Sequence, residues 1–265
     1  MTDRLLSIAL TWRVERRDGI AIGLTSHDRD LEIDGFVWRA APGMTPSAVK
    51  RTADLDADTM EVAGALTTGA ITERDLLAGR WDGARVVVRA VDWGDGSVIA
   101  ELGEGRMGAV AVRDGAFSAE LAGVAGLLDR PVSEATSPEC RAELGDARCR
   151  VAMAGRRRFA RVAAVDETLV TLDAVEAAAN ACGNGLLRWI GGANSGLESA
   201  IARSAGATVT LRAPPRFEGT GALVELIEGC DKSLATCAAR FGNAANFRGE
   251  PFLPGIDLLS RYPGA

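Results

Sequence analysis

The chain of 265 residues is 47% hydrophobic and 25% charged, proportions that are ordinary for a soluble globular protein. Its length allows two domains, or one large β domain with an insertion. The net charge of -6 does not favour a protein that coats DNA, and we expect no sequence-specific nucleic acid binding.

The start of the chain and its apolar runs argue against export and membrane insertion. Residues 1–17 contain only a brief apolar run, which follows an acidic residue and precedes no small-residue cleavage site. No stretch approaches the ~20 apolar residues that a membrane helix requires. We therefore expect a reducing compartment, where the five cysteines are free thiols or metal ligands rather than disulfides.

Up to Leu121 the pattern predicts mostly antiparallel β structure with one short helix. The Asp34-Gly35 turn is the clearest hairpin signal. Thr72 is the expected cap of the helix, which ends at Gly79. The predicted strands are 7–16, 20–25, 31–33, 36–38, 59–65, 84–93, 97–102, 105–112 and 116–121.

The pattern changes after Leu121. A short helix is predicted over 123–130, and the turn-rich residues 131–155 follow it. Asp166-Glu167 is the expected tip of a hairpin, and the tail from Pro251 is expected to be extended. The predicted strands in this part are 159–165, 168–172, 186–191, 197–204, 208–211 and 222–228.

Residues 229–255 combine two cysteines, a short helix and a polar loop. The sequence predicts a helix over Lys232–Phe241, with Asp231 as its N-terminal cap and Gly242 as the left-handed residue that ends it. On that reading Cys230 and Cys237 lie two turns apart on one helix face, near the positive end of the helix.

The cysteines form two pairs in polar surroundings, with Cys182 alone. Eight residues separate Cys140 from Cys149, and six separate Cys230 from Cys237. Four thiolates suit either tetrahedral zinc or a [4Fe–4S] cluster. Neither spacing is typical of a zinc knuckle or of a ferredoxin, and free cysteines that only pack in a core are a further alternative.

Two other features have simpler interpretations. Residues 103–108 match G-x-G-x-x-G, but β structure follows where a dinucleotide site needs a helix. His27 is the only histidine and lies in Ser-His-Asp-Arg-Asp, which reads as a hydrogen-bonded turn rather than part of a catalytic triad. We find no Walker loop, His-Glu-x-x-His or nucleophile elbow, and an enzyme is not expected.

Taken together, several stretches resemble a phage tail-tip hub family that occurs in siphophages and in the gene transfer agents of alphaproteobacteria. The chain is also similar, more distantly and in role, to the tail-tip L protein of phage lambda. The stretches that carry the resemblance are 25–31 with Asp34-Gly35, 188–196, 229–232, 235–237, 240–243, 246–249 and Pro254-Gly255.

The resemblance to the lambda protein implies a ligand set. That protein carries a [4Fe–4S] cluster on two pairs of C-terminal cysteines with similar spacing. By similarity, Cys140, Cys149, Cys230 and Cys237 are expected to bind the cluster, with zinc as the alternative metal and with Cys182 left out. Here a long segment, residues 150–229, separates the two pairs.

The resemblance implies a mostly β protein, with antiparallel β hub domains and a short-helix iron–sulfur segment near the C-terminus. Four parts are expected: an N-terminal β hub domain, a first cysteine segment, an inserted β subdomain and a C-terminal cysteine segment that completes the iron–sulfur site. These span residues 1–130, 131–155, 156–226 and 227–265. The cluster is expected to act as a structural cross-link, with its charge offset by Arg141, Arg148, Lys232 and Arg240.

The implied function is that of a structural tail hub, or baseplate protein, of a phage-like particle or gene transfer agent. The resemblance implies a homotrimer at the virion tail tip, assembled in the bacterial cytoplasm. It would join the distal tail protein ring to the host-contacting tail-tip protein, with a tail peptidase as a further partner. The alternative is a tail-associated enzyme, either a redox protein that uses the cluster or a cell-wall hydrolase.

Overall fold

The structure is a computed structural model and describes residues 7–41, 45–46, 59–65, 71–113, 116–123 and 133–252. The chain divides into two compact units, Met1–Pro131 and Val132–Ala265. The predicted helix over 123–130, the Asp114-Gly115 turn and most of the tail after Pro251 lie outside the described residues.

The first unit contains a nine-stranded sheet with the order β3-β4-β2-β1-β7-β8-β9-β6-β5. All pairs are antiparallel except β2 with β4, which is parallel. The strands are β1 (Ile8–Glu15), β2 (Ala21–Thr25), β3 (Leu31–Ile33), β4 (Phe36–Ala40), β5 (Thr45–Pro46), β6 (Thr59–Ala65), β7 (Arg85–Asp92), β8 (Val98–Arg113) and β9 (Ala116–Ala122).

Turn chemistry explains the hairpin of β3 and β4. Asp34 and Gly35 both have positive φ, 54° and 72°, which the two central residues of a type I′ turn require. The turn pairs Ile33 with Phe36 and Leu31 with Trp38. The predicted hairpin is confirmed.

β8 differs from the prediction, because the two expected strands 97–102 and 105–112 are one continuous strand. Its register with β7 shifts between Val88 and Arg89, and again between Ala90 and Val91. Bulges of this kind let a long strand keep its pairing while it bends. Residues 103–108, the glycine-rich match, lie within this strand.

The helix α1 (Glu73–Leu77) lies between β6 and β7 in sequence. The predicted cap is confirmed: the Thr72 hydroxyl accepts a hydrogen bond from the Asp75 amide at 3.1 Å. Leu76 contributes its side chain to the hydrophobic core of this unit. The other buried members of that core are Trp12, Val14, Leu24, Ala41, Ile71, Trp81, Ala84, Val86, Val88, Met107, Ala119 and Leu121.

The second unit contains a closed six-stranded barrel with the order β10-β11-β14-β13-β12-β15, which β10 and β15 close. Every pair in the barrel is antiparallel. The strands are β10 (Arg157–Asp166), β11 (Leu169–Leu172), β12 (Leu186–Trp189), β13 (Glu198–Ala205), β14 (Thr208–Leu211) and β15 (Leu223–Ile227).

The barrel interior is filled by aliphatic side chains and one tryptophan. Trp189 is 1% exposed, and its ring nitrogen donates to the Ser199 hydroxyl at 3.0 Å. Glu167, at φ 50°, forms the predicted turn between β10 and β11. The buried aliphatic residues of the barrel strands include Val162, Val170, Leu187, Ile201, Val209, Leu211, Val224 and Leu226.

Two short helical elements follow the barrel, α2 (Leu234–Phe241) and a 3-10 helix (Ala244–Asn246). No helix in the described part of the chain has the length and apolar character that crossing a membrane demands. The prediction of a mostly β, antiparallel protein is confirmed.

Candidate metal centre

The first cysteine pair lies in residues 133–155, all of which are described and none of which is helical or extended in a sheet. Asp146 organises this segment, because its carboxylate accepts hydrogen bonds from the amides of Cys149 at 2.6 Å, Arg148 at 2.9 Å and Glu143 at 2.9 Å. The bond from the Cys149 amide is the main cause of a lowered pKa at Asp146. A local polar network therefore shapes the loop that carries Cys149.

Backbone hydrogen bonds join this segment to residues 232–250. The Cys140 amide donates to the Lys232 carbonyl at 2.9 Å, and the Arg141 amide donates to the Arg248 carbonyl at 3.0 Å. In the opposite direction, the Glu250 amide donates to the Ser137 carbonyl at 2.8 Å. The structure thus brings together the two cysteine segments, which are far apart in sequence.

N–H groups point at three of the four paired sulfurs. The Arg248 amide contacts Cys140 Sγ at 3.4 Å, and the Lys232 amide contacts Cys230 Sγ at 3.4 Å. The Asn243 side-chain amide lies 3.8 Å from Cys149 Sγ. Such donors stabilise thiolates, and hydrogen bonds to sulfur are a recurring feature of iron–sulfur ligation.

The helix that carries Cys237 begins later than predicted. It starts at Leu234, and its cap is Ser233, whose hydroxyl accepts from the Thr236 amide at 3.1 Å. Lys232 has φ 63°, which no right-handed helix accommodates, so the prediction of a helix start at Lys232 was wrong. The end at Gly242, with φ 58°, is confirmed.

This shorter helix changes how the second pair is arranged. Asp231 does not cap it; one carboxylate oxygen accepts from the Ser233 amide at 2.9 Å and the other from the Thr236 hydroxyl at 2.7 Å. Cys230 therefore lies in the irregular segment before the helix, two residues before the left-handed Lys232. Of the second pair only Cys237 is helical, and Cys230 lies four residues before the start of the helix.

The thiol pKa values indicate that the four sulfurs share one electrostatic neighbourhood. Burial raises the pKa of Cys237, and the charges of Cys230, Cys140 and Cys149 raise it further. Burial likewise raises the pKa of Cys230, against the opposing bond from the Lys232 amide, and Cys140 adds to the increase. A positively charged metal group would relieve this mutual repulsion and hold the sulfurs as thiolates.

The four cations that were expected to offset cluster charge also have carboxylate partners. Arg141 pairs with Glu250 and Glu134, and Arg148 pairs with Glu134. Lys232 and Arg240 also bind backbone carbonyls. Lys232 Nζ donates to the Ala142 carbonyl at 2.6 Å, and Arg240 donates to the carbonyls of Gly229 at 3.0 Å and Ala181 at 2.8 Å. These cations are thus partly neutralised, and they join segments as well as adding positive charge.

The contacts of Cys182 differ from those of the other four cysteines. It is buried beside the barrel strands, where its amide donates to the Ser204 hydroxyl at 3.0 Å. Burial raises the pKa of its thiol, followed by the charges of Glu176 and Glu228. Its surroundings are those of a packed, unreactive thiol.

The thiols are not arranged around a single point. All five cysteines are free. Within the described ranges, no group of three or more His, Cys, Asp or Glu side chains is arranged so that it could hold a metal ion. Tetrahedral zinc places every sulfur about 2.3 Å from one ion, whereas each sulfur around a [4Fe–4S] cluster binds a different iron.

His27 forms the predicted hydrogen-bonded turn. Its amide donates to the Thr25 hydroxyl at 3.2 Å, and its Nδ1 accepts from the Arg29 amide at 3.1 Å. The ring packs 4.9 Å from the ring of Trp93 and is 18% exposed. These contacts give the imidazole a local structural role.

Three residues of this region have roles that the sequence did not predict. Ser233 caps α2, Asn243 contacts both a first-pair and a second-pair cysteine, and Glu250 binds Arg141. Serine is a preferred cap residue, but so is Asp231 two residues earlier. The other two depend on contacts between segments that are distant in sequence.

Comparisons with known proteins agree with this architecture. The family described as "Baseplate hub protein, N-terminal attachment domain" matches residues 1–152. The family described as "Phage conserved hypothetical protein BR0599" matches residues 181–257. No curated protein matches the chain.

A solved structure extends the likeness over almost the whole chain. A chain from the virion of a native gene transfer agent particle is 36% identical, with a TM-score of 0.82. The match covers 98% of the present chain and 92% of that one. The β units and these matches define a structural protein of phage-type tails. More specifically, the chain belongs to the phage baseplate hub family.

Proposed function

We propose that the protein is the tail hub of a phage-like particle or gene transfer agent. Three copies form a ring at the tail tip, between the distal tail protein ring and the host-contacting tip protein. Support comes from the match of residues 1–152 to the attachment domain of baseplate hub proteins, and from the similar chain in a gene transfer agent virion. Both likenesses are to structural parts of particles, which favours a scaffold over an enzyme.

The second part of the proposal concerns the cysteines. Cys140, Cys149, Cys230 and Cys237 would hold a [4Fe–4S] cluster. The observation that carries this proposal is the convergence of two distant segments through the Cys140–Lys232 backbone bond, with N–H groups directed at three of the sulfurs. Four free thiols with hydrogen-bond donors are the donor set that such a cluster requires.

We propose a cluster ahead of zinc because the cysteine spacing resembles that of the lambda tail-tip protein. In the described part of the chain, the thiols form no group that suits a single ion, yet the charges of Cys140, Cys149 and Cys230 all raise the pKa of Cys237. Zinc therefore remains the alternative that the experiment must distinguish.

When bound, the cluster would supply a covalent cross-link between residues 133–155 and 228–252. The first of these segments has only two buried apolar residues, Ala142 and Cys149, and no regular secondary structure. A segment with so little apolar burial gains much of its stability from a metal group. The chain's own residues hold the sulfurs in place, and the cluster would join them.

Anaerobic purification tests the cluster directly. We expect ~4 iron and ~4 sulfide per chain and broad visible absorption, as for a cubane cluster. Cys237→Ser should lose the iron, whereas the matched control Cys182→Ser should keep it, because Cys182 lies outside the set. Stoichiometric zinc in the wild-type protein, or iron that survives in Cys237→Ser, would overturn the assignment.

The hub role needs a separate test, since iron content does not report on assembly. The purified chain should have the mass of three copies and should bind the distal tail protein of the same particle. Deletion of the gene should give particles whose tails lack their tip by negative-stain microscopy. Complete tails in the deletion strain would exclude the hub function, whatever the metal content.

A further inference from the structure

Asn243 contacts one cysteine from each pair. Its Nδ2 donates to the Cys149 carbonyl at 2.6 Å and lies 3.8 Å from Cys149 Sγ. Its backbone amide donates to the Cys237 carbonyl at 3.0 Å. One residue thus connects the loop that carries Cys149 to the helix that carries Cys237.

The orientation of this side chain is determined by its neighbours. The Asn246 side-chain amide donates to Asn243 Oδ1 at 2.7 Å. The Cys149 carbonyl can only accept, so the nitrogen of Asn243 must face it. The position of the residue is set by Gly242, whose left-handed conformation ends α2 and turns the chain back towards Cys149.

We propose that Asn243 is a positioning residue for this site. It holds the Cys149 loop against α2 before any cluster is bound, and it donates to the Cys149 sulfur once the cluster is present. The role of Asn243 as a donor to the Cys149 sulfur rests on the proposed function, whereas its role in holding the loop does not. Groups behind the ligands commonly orient them, and hydrogen bonds to sulfur tune the reduction potential of the cluster.

Among the three donors to sulfur, Asn243 is the one that a substitution can remove. Lys232 and Arg248 act through backbone amides, which every residue except proline supplies. Asn243→Asp changes one group of the side chain from donor to acceptor with little change in shape. Asn184→Asp is its matched control, because Asn184 is exposed, belongs to the same unit and accepts from Arg212 at 2.8 Å through an oxygen that aspartate keeps.

The first measurement uses chelator-treated, iron-free protein. Hydrogen exchange of the Cys149 and Arg150 amides reports on the loop, because both amides donate to Asp146. We expect at least several-fold faster exchange in Asn243→Asp and unchanged exchange in Asn184→Asp. Asn246→Ala keeps Asn243 and removes only its orienting donor, so it should give a smaller acceleration. Equal exchange in all four proteins would overturn the holding role.

The second measurement uses the cluster-loaded protein. Asn243→Ala should shift the reduction potential to a more negative value and speed cluster loss to chelator, because the reduced cluster loses a hydrogen-bond donor. Alanine adds no charge, which separates the donor effect from simple electrostatics. An unchanged potential and loss rate in a loaded protein would refute the donor role. If the wild-type protein holds no cluster, the proposed metal centre fails, and the exchange result still decides the holding role.

Discussion

The guanidinium of Arg141 binds the carboxylate of Glu250 through two hydrogen bonds, Nη1 to Oε2 at 2.6 Å and Nη2 to Oε1 at 2.8 Å. The Ser137 amide donates to the same carboxylate at 3.0 Å. The Arg141 hydrogen bonds, followed by that from Ser137, lower the pKa of Glu250 to about 2. One carboxylate therefore joins the first cysteine segment to the residues beyond the 3-10 helix.

This ion pair predicts an acid sensitivity. Because folding lowers the pKa of Glu250, its contribution to stability is complete above the ordinary glutamate pKa of about 4.3. It is lost as the pH falls from there towards about 2. We expect the Ser137 and Glu250 amides to lose protection over this window, measured as exchange relative to the intrinsic rate at each pH. The effect should be modest, because the pair is partly solvated.

Glu250→Gln should weaken this junction at neutral pH and make its protection from exchange less dependent on pH between about 4.3 and 2. Glu139→Gln is a suitable control, since Glu139 is exposed in the same segment. An identical pH dependence in wild type and Glu250→Gln would show that another group controls the acid response.

Gly229 lies at a close backbone crossing in this region. A Cβ added there would lie 2.2 Å from the Asn184 carbonyl carbon, the Gly183 oxygen and the Gly185 nitrogen. These are main-chain atoms, which cannot rotate away as a flexible side chain can. Gly229→Ala should therefore force the chain apart immediately before Cys230, at a cost of about 1–3 kcal/mol or more in the free energy of unfolding.

Gly191→Ala provides the matched comparison for Gly229→Ala. A Cβ at Gly191 would meet its nearest neighbour, the Leu223 nitrogen, at 3.6 Å, which is an ordinary contact. Neither glycine has a positive φ, so the two substitutions differ chiefly in available space. Thermal unfolding of the two variants measures the difference. Equal melting temperatures would mean that the crossing at Gly229 opens at little cost.

The β elements could be predicted from sequence because their signals are local. Alternation in β1, the Asp34-Gly35 turn and the Asp166-Glu167 turn each determine short-range geometry. β8 shows where this approach stops. Two strands were predicted there, 97–102 and 105–112, yet bulges against β7 allow one strand to continue.

The helix start at Leu234 shows a different limit. Asp231 and Ser233 are both good caps, and local rules do not choose between them. The choice depends on Lys232, whose left-handed conformation allows its amide to reach Cys230 Sγ while its carbonyl accepts from Cys140. A long-range contact thus decides a local boundary.

We expect Ser233 to stabilise α2 as its N-terminal cap. Ser233→Ala should destabilise α2 by about 1 kcal/mol, because the Thr236 amide loses its acceptor. Ser233→Asn should restore most of this, since asparagine caps about as well as serine. Exchange of the α2 amides, compared among the three proteins, measures both effects. Unchanged exchange in Ser233→Ala would show that this cap contributes little to the stability of α2.

The sequence shows the two cysteine pairs, but it does not show which side chains hold their segments together. Asn243 and Glu250 follow α2 in an unremarkable polar loop. Their partners, Cys149 and Arg141, lie about a hundred residues earlier, on the other side of the barrel strands in sequence. No periodicity or cap rule connects residues so far apart, because the connection depends on how the two segments pack.

The Glu176 carboxylate accepts four hydrogen bonds in the second unit, outside the barrel strands' own pairing. Its carboxylate accepts from the Ser204 hydroxyl and from the amides of Asn180 at 3.1 Å, Ala181 at 3.0 Å and Gly206 at 3.1 Å. Burial by itself raises the pKa of Glu176, but these hydrogen bonds outweigh burial and the net pKa is lowered. Its contribution to stability is thus present above the ordinary glutamate pKa and lost as the pH falls through the lowered value.

Glu176→Gln should destabilise the barrel unit by about 1–3 kcal/mol at pH 7, because an amide cannot accept four hydrogen bonds as a carboxylate does. The difference from wild type should shrink as the pH falls below the ordinary glutamate pKa of about 4.3, because the stability that comes from the lowered pKa of Glu176 is lost from there downwards. Exchange of the β13 and β14 amides gives the free energy of opening at each pH. Glu198→Gln, which removes only an exposed pair with Arg188, should cost about 0.5 kcal/mol or less. A difference that stays constant from pH 7 to acid would rule out the Glu176 carboxylate as its source.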